Sequence, residues 1–199
     1  MHHVFLLGDS IRMGRDDGLP GYEPALRALT AGAWEIHSPA ENCRFAQYAL
    51  RYAHQWAAAC DREAISLVVF NAGLWDVLRI LGDEPLTPPE VYRLMLARLT
   101  RRLQALFPHA RLLFLTSTPT LEARYTGDSC RKNSDIRHYN AIACQVMEEN
   151  GAAVLDLFAL AAGFPENYFA DHVHFAAAGS QALAEAIYEA GQALINKEE

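Results

Sequence analysis

Two short polar segments near opposite ends of the chain carry side chains suited to acyl transfer. Gly8-Asp9-Ser10 follows the apolar run Val4–Leu7, and Asp171-His172-Val173-His174 lies close to the other end. A serine hydroxyl acts as a nucleophile when a histidine takes its proton and a carboxylate holds the histidine ring. Ser10, His174 and Asp171 could supply these three groups, which predicts chemistry on an acyl compound.

Each segment alone also has a simpler interpretation. Ser10 could merely cap a helix, as serine often does. The same triplet recurs at Gly127-Asp128-Ser129, where no strand precedes it and a polar turn is expected. Asp171 and His174 could belong to a solvated loop, and for that segment alone the two interpretations carry equal weight. His172 is a weaker candidate for the base, because extended backbone would point it away from the Asp171 side chain.

A third polar segment, Asn71-Ala72-Gly73-Leu74-Trp75-Asp76, follows the most apolar strand candidate. The Asn71 amide could donate a hydrogen bond to an oxyanion. Gly73 permits a tight turn, and Trp75 could line a substrate pocket, although tryptophan is more often a core residue. The simpler alternative is a turn that ends a strand.

Length and composition indicate an ordinary globular protein. The chain has 199 residues and a net charge of −7, so we expect one domain over residues 1–199. The absence of a basic patch makes nucleic acid an improbable partner. The apolar runs are too short for a signal peptide or a membrane span, which predicts a cytoplasmic protein with no membrane partner. Four scattered cysteines indicate neither a metal site nor a disulfide framework.

Five apolar runs are predicted to be strands, and the most continuous of them suit a parallel sheet covered on both faces. They are His3–Leu7, Trp34–His37, Ile65–Phe70, Arg111–Leu115 and Ala153–Leu157.

Helices are predicted between these strands. Thr87-Pro88-Pro89-Glu90 has the pattern of a capping box with Thr87 as N-cap, and Pro108 marks the end of that helix. Two more helices are expected at Ser134–Glu149 and from Ala177 to about Leu194.

Alternating strands and helices predict a doubly wound α/β layer, whose active sites lie beyond the carboxyl ends of the strands. Ser10, Asn71 and Thr116 each follow a predicted strand, so they should meet at one edge of the sheet. The connections Leu78–Pro88 and Pro119–Asn133 are the expected pocket walls or lids.

The three polar segments together resemble the SGNH (GDSL) hydrolases, a family of serine esterases. The resemblance spans the chain and implies a flavodoxin-like three-layer α/β/α fold with five parallel strands in the order 2-1-3-4-5. It implies Ser10 as nucleophile, with Asp171 and His174 as the other members of the catalytic triad. It also implies that no metal or organic cofactor is required.

The sequence departs from the family pattern in two blocks. The family's second block usually supplies a backbone N–H from a glycine, whereas the matching stretch Ser38–Arg44 has none; the Asn42 N–H could take that role. The third block has Trp75 where the family has asparagine, and Asn71 could supply the missing amide. The expected oxyanion hole therefore comprises the Ser10 N–H, the Asn42 N–H and the Asn71 amide, and the expected substrate-binding residues are Gly73 and Trp75.

The function predicted is that of a carboxylic-ester hydrolase acting through an acyl-enzyme on a small-molecule ester, with a small acyl group on a polar alcohol such as a carbohydrate. Two alternatives remain. A flavodoxin-like sheet can form a non-catalytic binding module, and the same triad can serve an acyltransferase.

Overall fold

The computed structural model describes residues 1–15 and 17–197. Within these residues there are seven strands: β1 His2–Leu7, β2 Trp34–His37, β3 Ile65–Phe70, β4 Arg79–Ile80, β5 Arg111–Leu115, β6 Ser129–Cys130 and β7 Ala153–Leu155. Five of them form a central parallel sheet in the order β2-β1-β3-β5-β7. When β4 and β6, which form a separate pair, are left out of the count, this is the predicted order 2-1-3-4-5.

Helices cover both faces of the sheet, which explains why its central strands are apolar on both sides. Val4–Leu7 and Leu67–Phe70 are buried throughout. The helices are α1 Ser10–Met13, α2 Tyr22–Leu29, α3 Ala46–Trp56, α4 Pro89–Leu106, α5 Asn133–Glu149, α6 Leu157–Ala162 and α7 Ala177–Ile195.

The helices form two groups. α2 packs against α7 on one face, and α3, α4 and α5 lie side by side. Trp34 marks the first face, because its ring contacts Tyr188 of α7 edge-on. Phe5 marks the other face, where its ring packs on Phe107 at the end of α4. The predicted three-layer α/β/α architecture is confirmed.

Two predicted element boundaries are wrong. The capping box at Thr87 does not form: Pro88 is the N-cap of α4 without a side-chain cap, and the Thr87 N–H donates to the Asp76 carbonyl at 3.1 Å. The last strand stops at Leu155 instead of Leu157, because the Asp156 carboxylate accepts from the Ala159 N–H at 3.0 Å and begins α6.

The two long connections contact each other, since β4 and β6 pair as antiparallel strands. Ser129, in the second Gly-Asp-Ser triplet, opens β6 and is exposed.

Of the described helices, none combines the length and the apolar character needed to span a membrane.

Candidate active site

Ser10 lies three residues beyond the carboxyl end of β1 and is the first residue of α1. Asp9 caps this short helix, its Oδ1 accepting from the Ile11 N–H at 2.9 Å. Asp9 is wholly buried, and this burial raises the pKa of its carboxyl. No acceptor among the described residues bonds the Ser10 N–H.

The side chains of Ser10, His174 and Asp171 are joined by two hydrogen bonds. His174 Nε2 lies 2.9 Å from Ser10 Oγ, and His174 Nδ1 lies 2.8 Å from Asp171 Oδ2. The imidazole thus bridges a hydroxyl and a carboxylate. This arrangement can move a proton off Ser10 and stabilise the imidazolium that results.

The Asp171 carboxylate is held by several donors. Its Oδ1 accepts from the N–H groups of Val173 and His174, each at 2.7 Å, and Arg15 Nη1 donates to its Oδ2 at 2.7 Å. Burial alone would raise the pKa of this carboxyl, but the two N–H groups and the His174 ring outweigh it. The pKa of Asp171 therefore lies well below its usual range, and the side chain stays ionised.

His172 does not bond to Asp171. Its ring packs on Tyr125 at a centroid distance of 4.2 Å, and its carbonyl accepts from the Leu121 N–H at 2.8 Å. Burial lowers the pKa of His172, and the Arg131 charge acts in the same direction. His172 lines the cleft, but its ring contacts Tyr125, whereas the His174 ring bonds Ser10 and Asp171.

Ser10 and His174 open into a cleft of about 460 Å³ whose walls include Asn42, Leu74 and Trp75. The Trp75 ring meets the edge of Phe45, with the ring centroids 5.6 Å apart. The structure thus brings Trp75 and Asn42 to the cleft that contains Ser10.

Asn42 sits in a loop fastened to the end of β1. The neighbouring Cys43 N–H donates to the Gly8 carbonyl at 3.1 Å, and Asn42 Oδ1 accepts from the Arg44 N–H at 2.9 Å. As with Ser10, the described residues provide no acceptor for the Asn42 N–H.

Asn71 and Gly73 lie deeper in the protein. Asn71 Nδ2 donates one hydrogen to Asp9 Oδ2 at 3.2 Å, and Asn71 is not among the residues lining the cleft. Gly73 adopts a φ of 141°, and a Cβ there would stand 2.7 Å from Ser117 Oγ. Gly73 is therefore needed for the turn, and its contribution to substrate binding stays a prediction.

Three arginines at this site were missed by sequence reasoning. Arg15 bonds Asp171 as described, and Arg131 lines the cleft while its Nε donates to the Leu74 carbonyl at 2.5 Å. Arg12 is buried in α1, where its Nε donates to the Gly8 carbonyl at 3.3 Å. Only Arg131 could have been connected with the site from the sequence, because it lies in the segment Pro119–Asn133, which is predicted to line the pocket.

Solved structures share this fold at low identity. The lipase/acylhydrolase from Enterococcus faecalis superposes with a TM-score of 0.78 at 17% identity, covering 100% of both chains. The carbohydrate acetylesterase Est24 from Sinorhizobium meliloti has a TM-score of 0.73 at 15% identity, covering 98% of this chain and 100% of its own. The acetyl xylan esterase AlAXEase has a TM-score of 0.72 at 18% identity, covering 94% of this chain and 98% of its own.

Among curated proteins, no sequence matches this chain. The profile of the GDSL-like lipase/acylhydrolase family, in contrast, matches residues 6–182. That span runs from β1 into α7 and covers most of the chain, so the protein belongs to the GDSL-like lipase/acylhydrolase family and is an ester hydrolase of the SGNH type.

Proposed function

We propose that this protein is a serine esterase in which Ser10, His174 and Asp171 form the catalytic triad. The observation that carries the proposal is the pair of hydrogen bonds from the His174 ring, 2.9 Å to Ser10 Oγ and 2.8 Å to Asp171 Oδ2. Both bonds have the lengths and order that proton transfer from a serine requires.

The reaction begins when His174 Nε2 takes the Ser10 proton and Ser10 Oγ attacks the ester carbonyl. The tetrahedral intermediate collapses as His174 returns that proton to the leaving alcohol, and an acyl group remains on Ser10. His174 then deprotonates a water molecule, which attacks the acyl-enzyme and releases the acid. The ionised Asp171 stabilises the imidazolium in both halves.

The oxyanion is stabilised by the N–H groups of Ser10 and Asn42 and by the Asn71 amide. The two N–H groups have no acceptor among the described residues, and Ser10 and Asn42 both line the cleft. Asn71 lies behind the residues that line the cleft and uses one amide hydrogen on Asp9, so its assigned role depends on its second hydrogen. Donors fixed in place before the reaction stabilise the developing charge most effectively.

The substrate class is a small acyl group, such as acetyl, on a polar alcohol such as a carbohydrate. The cleft lining combines Trp75, which we assign to the acyl side, with the polar side chains of Arg15, Arg131 and Asn42. The fold is shared with an acetyl xylan esterase and a carbohydrate acetylesterase, which agrees with this substrate class. Four cysteines without disulfide bonds agree with a cytoplasmic, reducing location.

The decisive experiment is labelling with a fluorophosphonate probe, read by intact mass and peptide mapping. We expect one adduct, on Ser10, and none in Ser10→Ala. Ser129→Ala is the matched control, because Ser129 has the same Gly-Asp-Ser sequence but lies on an exposed strand. An adduct on Ser129, or no adduct with folded wild-type protein, would rule out the proposed nucleophile and favour a binding module.

The substrate class is tested with p-nitrophenyl esters of increasing chain length and with acetylated sugars. We expect the highest kcat/KM for the acetyl ester and a steady fall with chain length. Product analysis with an added sugar acceptor separates hydrolysis from acyl transfer: transfer to the sugar as the main outcome would make the protein an acyltransferase.

A further inference from the structure

His3, Glu35 and His37 form a cluster on the pair β1–β2, apart from the cleft. His3 lies opposite Glu35 in the strand register. His37 follows Glu35 by two residues, so both side chains point to the same face of the sheet. β2 is an edge strand, and the three side chains are 35%, 46% and 25% exposed.

The ligand atoms of this cluster lie at very similar separations. His3 Nδ1 is 3.3 Å from His37 Nε2. Glu35 Oε2 lies 3.5 Å from His3 Nδ1, and Glu35 Oε1 lies 3.6 Å from His37 Nε2. Ligands around a tetrahedral metal ion with bonds of about 2.0–2.2 Å are about 3.3–3.6 Å apart. Each pair of side chains therefore has two ligand atoms at this spacing.

The ligand atoms of the three side chains lie together. The two imidazoles are nearly coplanar, with an angle of 16° between their planes and centroids 5.6 Å apart, and His3 Nδ1 faces His37 Nε2. One ligand atom from each of the three side chains lies within 4.8 Å of the other two. Two imidazole nitrogens and one carboxylate form a donor set that zinc and related divalent ions prefer.

We propose that His3, Glu35 and His37 bind a divalent transition-metal ion, with Zn²⁺ as the representative, and that the ion fastens the edge strand β2 to β1. The three protein ligands leave the solvent side open for a water molecule as fourth ligand. β2 has four residues and, in the part of the chain that the structure describes, pairs only with β1, so a metal link would stabilise this edge of the sheet. The site lies outside the esterase cleft, and its role is structural.

The test begins with protein freed of metal by a chelator and gel filtration. Zn²⁺ is then titrated by isothermal calorimetry, and thermal unfolding is followed with and without Zn²⁺. We expect one equivalent to bind. At a free Zn²⁺ concentration of about 100 times the dissociation constant, the midpoint of unfolding should rise by about 5–10 °C.

Variants assign the site. His37→Ala and Glu35→Gln should each abolish the Zn²⁺-dependent rise in the unfolding midpoint, and Glu35→Gln keeps the shape of the side chain if His37→Ala folds poorly. His2→Ala is the first control, because His2 neighbours His3 but faces the opposite side of the sheet. His109→Ala is the second, since His109 forms an exposed pair with Glu63 at 3.1 Å and has no third ligand there.

Two outcomes would overturn the proposal. Zn²⁺ binding that survives in both His37→Ala and Glu35→Gln would place the ion elsewhere, for example on His2. The absence of binding heat with folded wild-type protein would leave the three side chains as a hydrogen-bonded cluster without a metal function.

Discussion

Arg12 forms a buried ion pair with Glu23. Arg12 lies two residues after Ser10, the proposed nucleophile. The same guanidinium donates to the carbonyls of Pro39 at 3.1 Å and Glu41 at 2.8 Å. Arg12 thus ties α1 to α2 and to the loop that carries Asn42. Through these contacts it fixes the two backbone N–H groups that the proposed oxyanion hole needs.

Replacing Arg12 with methionine should cost both stability and activity. Glu23 would lose its buried partner but keep its bonds to Arg27, so the loss of stability should be up to about 3–5 kcal/mol, the cost of breaking a buried ion pair. The loop at 39–42 would also lose two hydrogen bonds, so kcat should fall even for the folded fraction. Urea unfolding and steady-state kinetics on a short ester measure the two effects.

Arg27→Met is the matched control for Arg12→Met. Arg27 bonds the same Glu23 carboxylate, with its Nη2 at 2.6 Å, but its own side chain is 43% exposed. We expect roughly 0–1 kcal/mol of lost stability, typical of an exposed pair, and an unchanged kcat. Equal losses in the two variants would show that the Arg12 contacts have no special role at the site.

His174→Ala should lower kcat by roughly 10⁴-fold, because the triad acts as a unit. His172→Ala should have a far smaller effect, since the His172 ring packs on Tyr125 and bonds neither Ser10 nor Asp171. Both variants are measured on one p-nitrophenyl ester after circular dichroism has established that they fold. Similar rates in the two variants would contradict the assigned base.

Asn71→Ala separates an oxyanion role from a structural one. The variant loses the bond to the buried Asp9 carboxylate, so some loss of stability is expected in either case. If the second amide hydrogen binds the oxyanion, kcat should also fall by roughly 10²-fold to 10³-fold with little change in KM. An unchanged kcat in the folded variant would remove Asn71 from the oxyanion hole.

Trp75→Ala should change specificity more than the rate of chemistry. Trp75 lines the cleft against Phe45, so its removal widens the space for the acyl chain. We expect KM to rise for the acetyl ester and to fall for longer chains such as the hexanoyl ester. A uniform loss of kcat across the series would instead indicate that Trp75 positions the catalytic groups.

Asp76 should make stability depend on pH. It is fully buried, and this burial raises its pKa to about 6, above the unfolded value of about 3.9. The folded state then binds the proton more tightly, so the Asp76 contribution to the free energy of unfolding is largest at low pH. It should fall by up to about 3 kcal/mol as the pH rises from about 4 to 6, and then level off.

Asp76→Asn tests whether the contribution of Asp76 to the free energy of unfolding falls as the pH rises. The amide oxygen can still accept from the Ala46 N–H, which Asp76 Oδ2 accepts at 3.2 Å. The free energy of unfolding of wild type minus that of the variant should therefore decrease between pH 4 and 6. A difference that stays flat over this range would contradict the prediction.

The sheet and the order of its strands could be predicted because they depend on apolar runs, which are a local property of the chain. Thr87 shows where a local pattern fails, because its N–H donates to the Asp76 carbonyl on another segment. Asp156 is different. It begins α6 by accepting from the Ala159 N–H at 3.0 Å, a local N-cap that its side chain favours, and it also accepts from the distant Thr116 Oγ1 at 2.9 Å.

The candidate site shows the same division. Ser10, Asp171 and His174 could be proposed from the sequence because they lie in short motifs, and the structure places their side chains within hydrogen-bond distance of one another. Arg12 could not, because an arginine is usually solvated and its buried position depends on Glu23 and on carbonyls of a distant loop. Arg15 likewise reaches Asp171 only after both ends of the chain have met.

The hydrogen bond between Ser10 and His174 joins residues 164 positions apart. The proposed triad can form only after β1 has entered the sheet and the segment before α7 has docked beside it. Regain of esterase activity during refolding therefore reports the arrival of the last part of the chain, while circular dichroism reports earlier helix formation. A lag of activity behind the helical signal would measure the rate of the final docking step, so esterase activity can serve as a probe for the completion of folding.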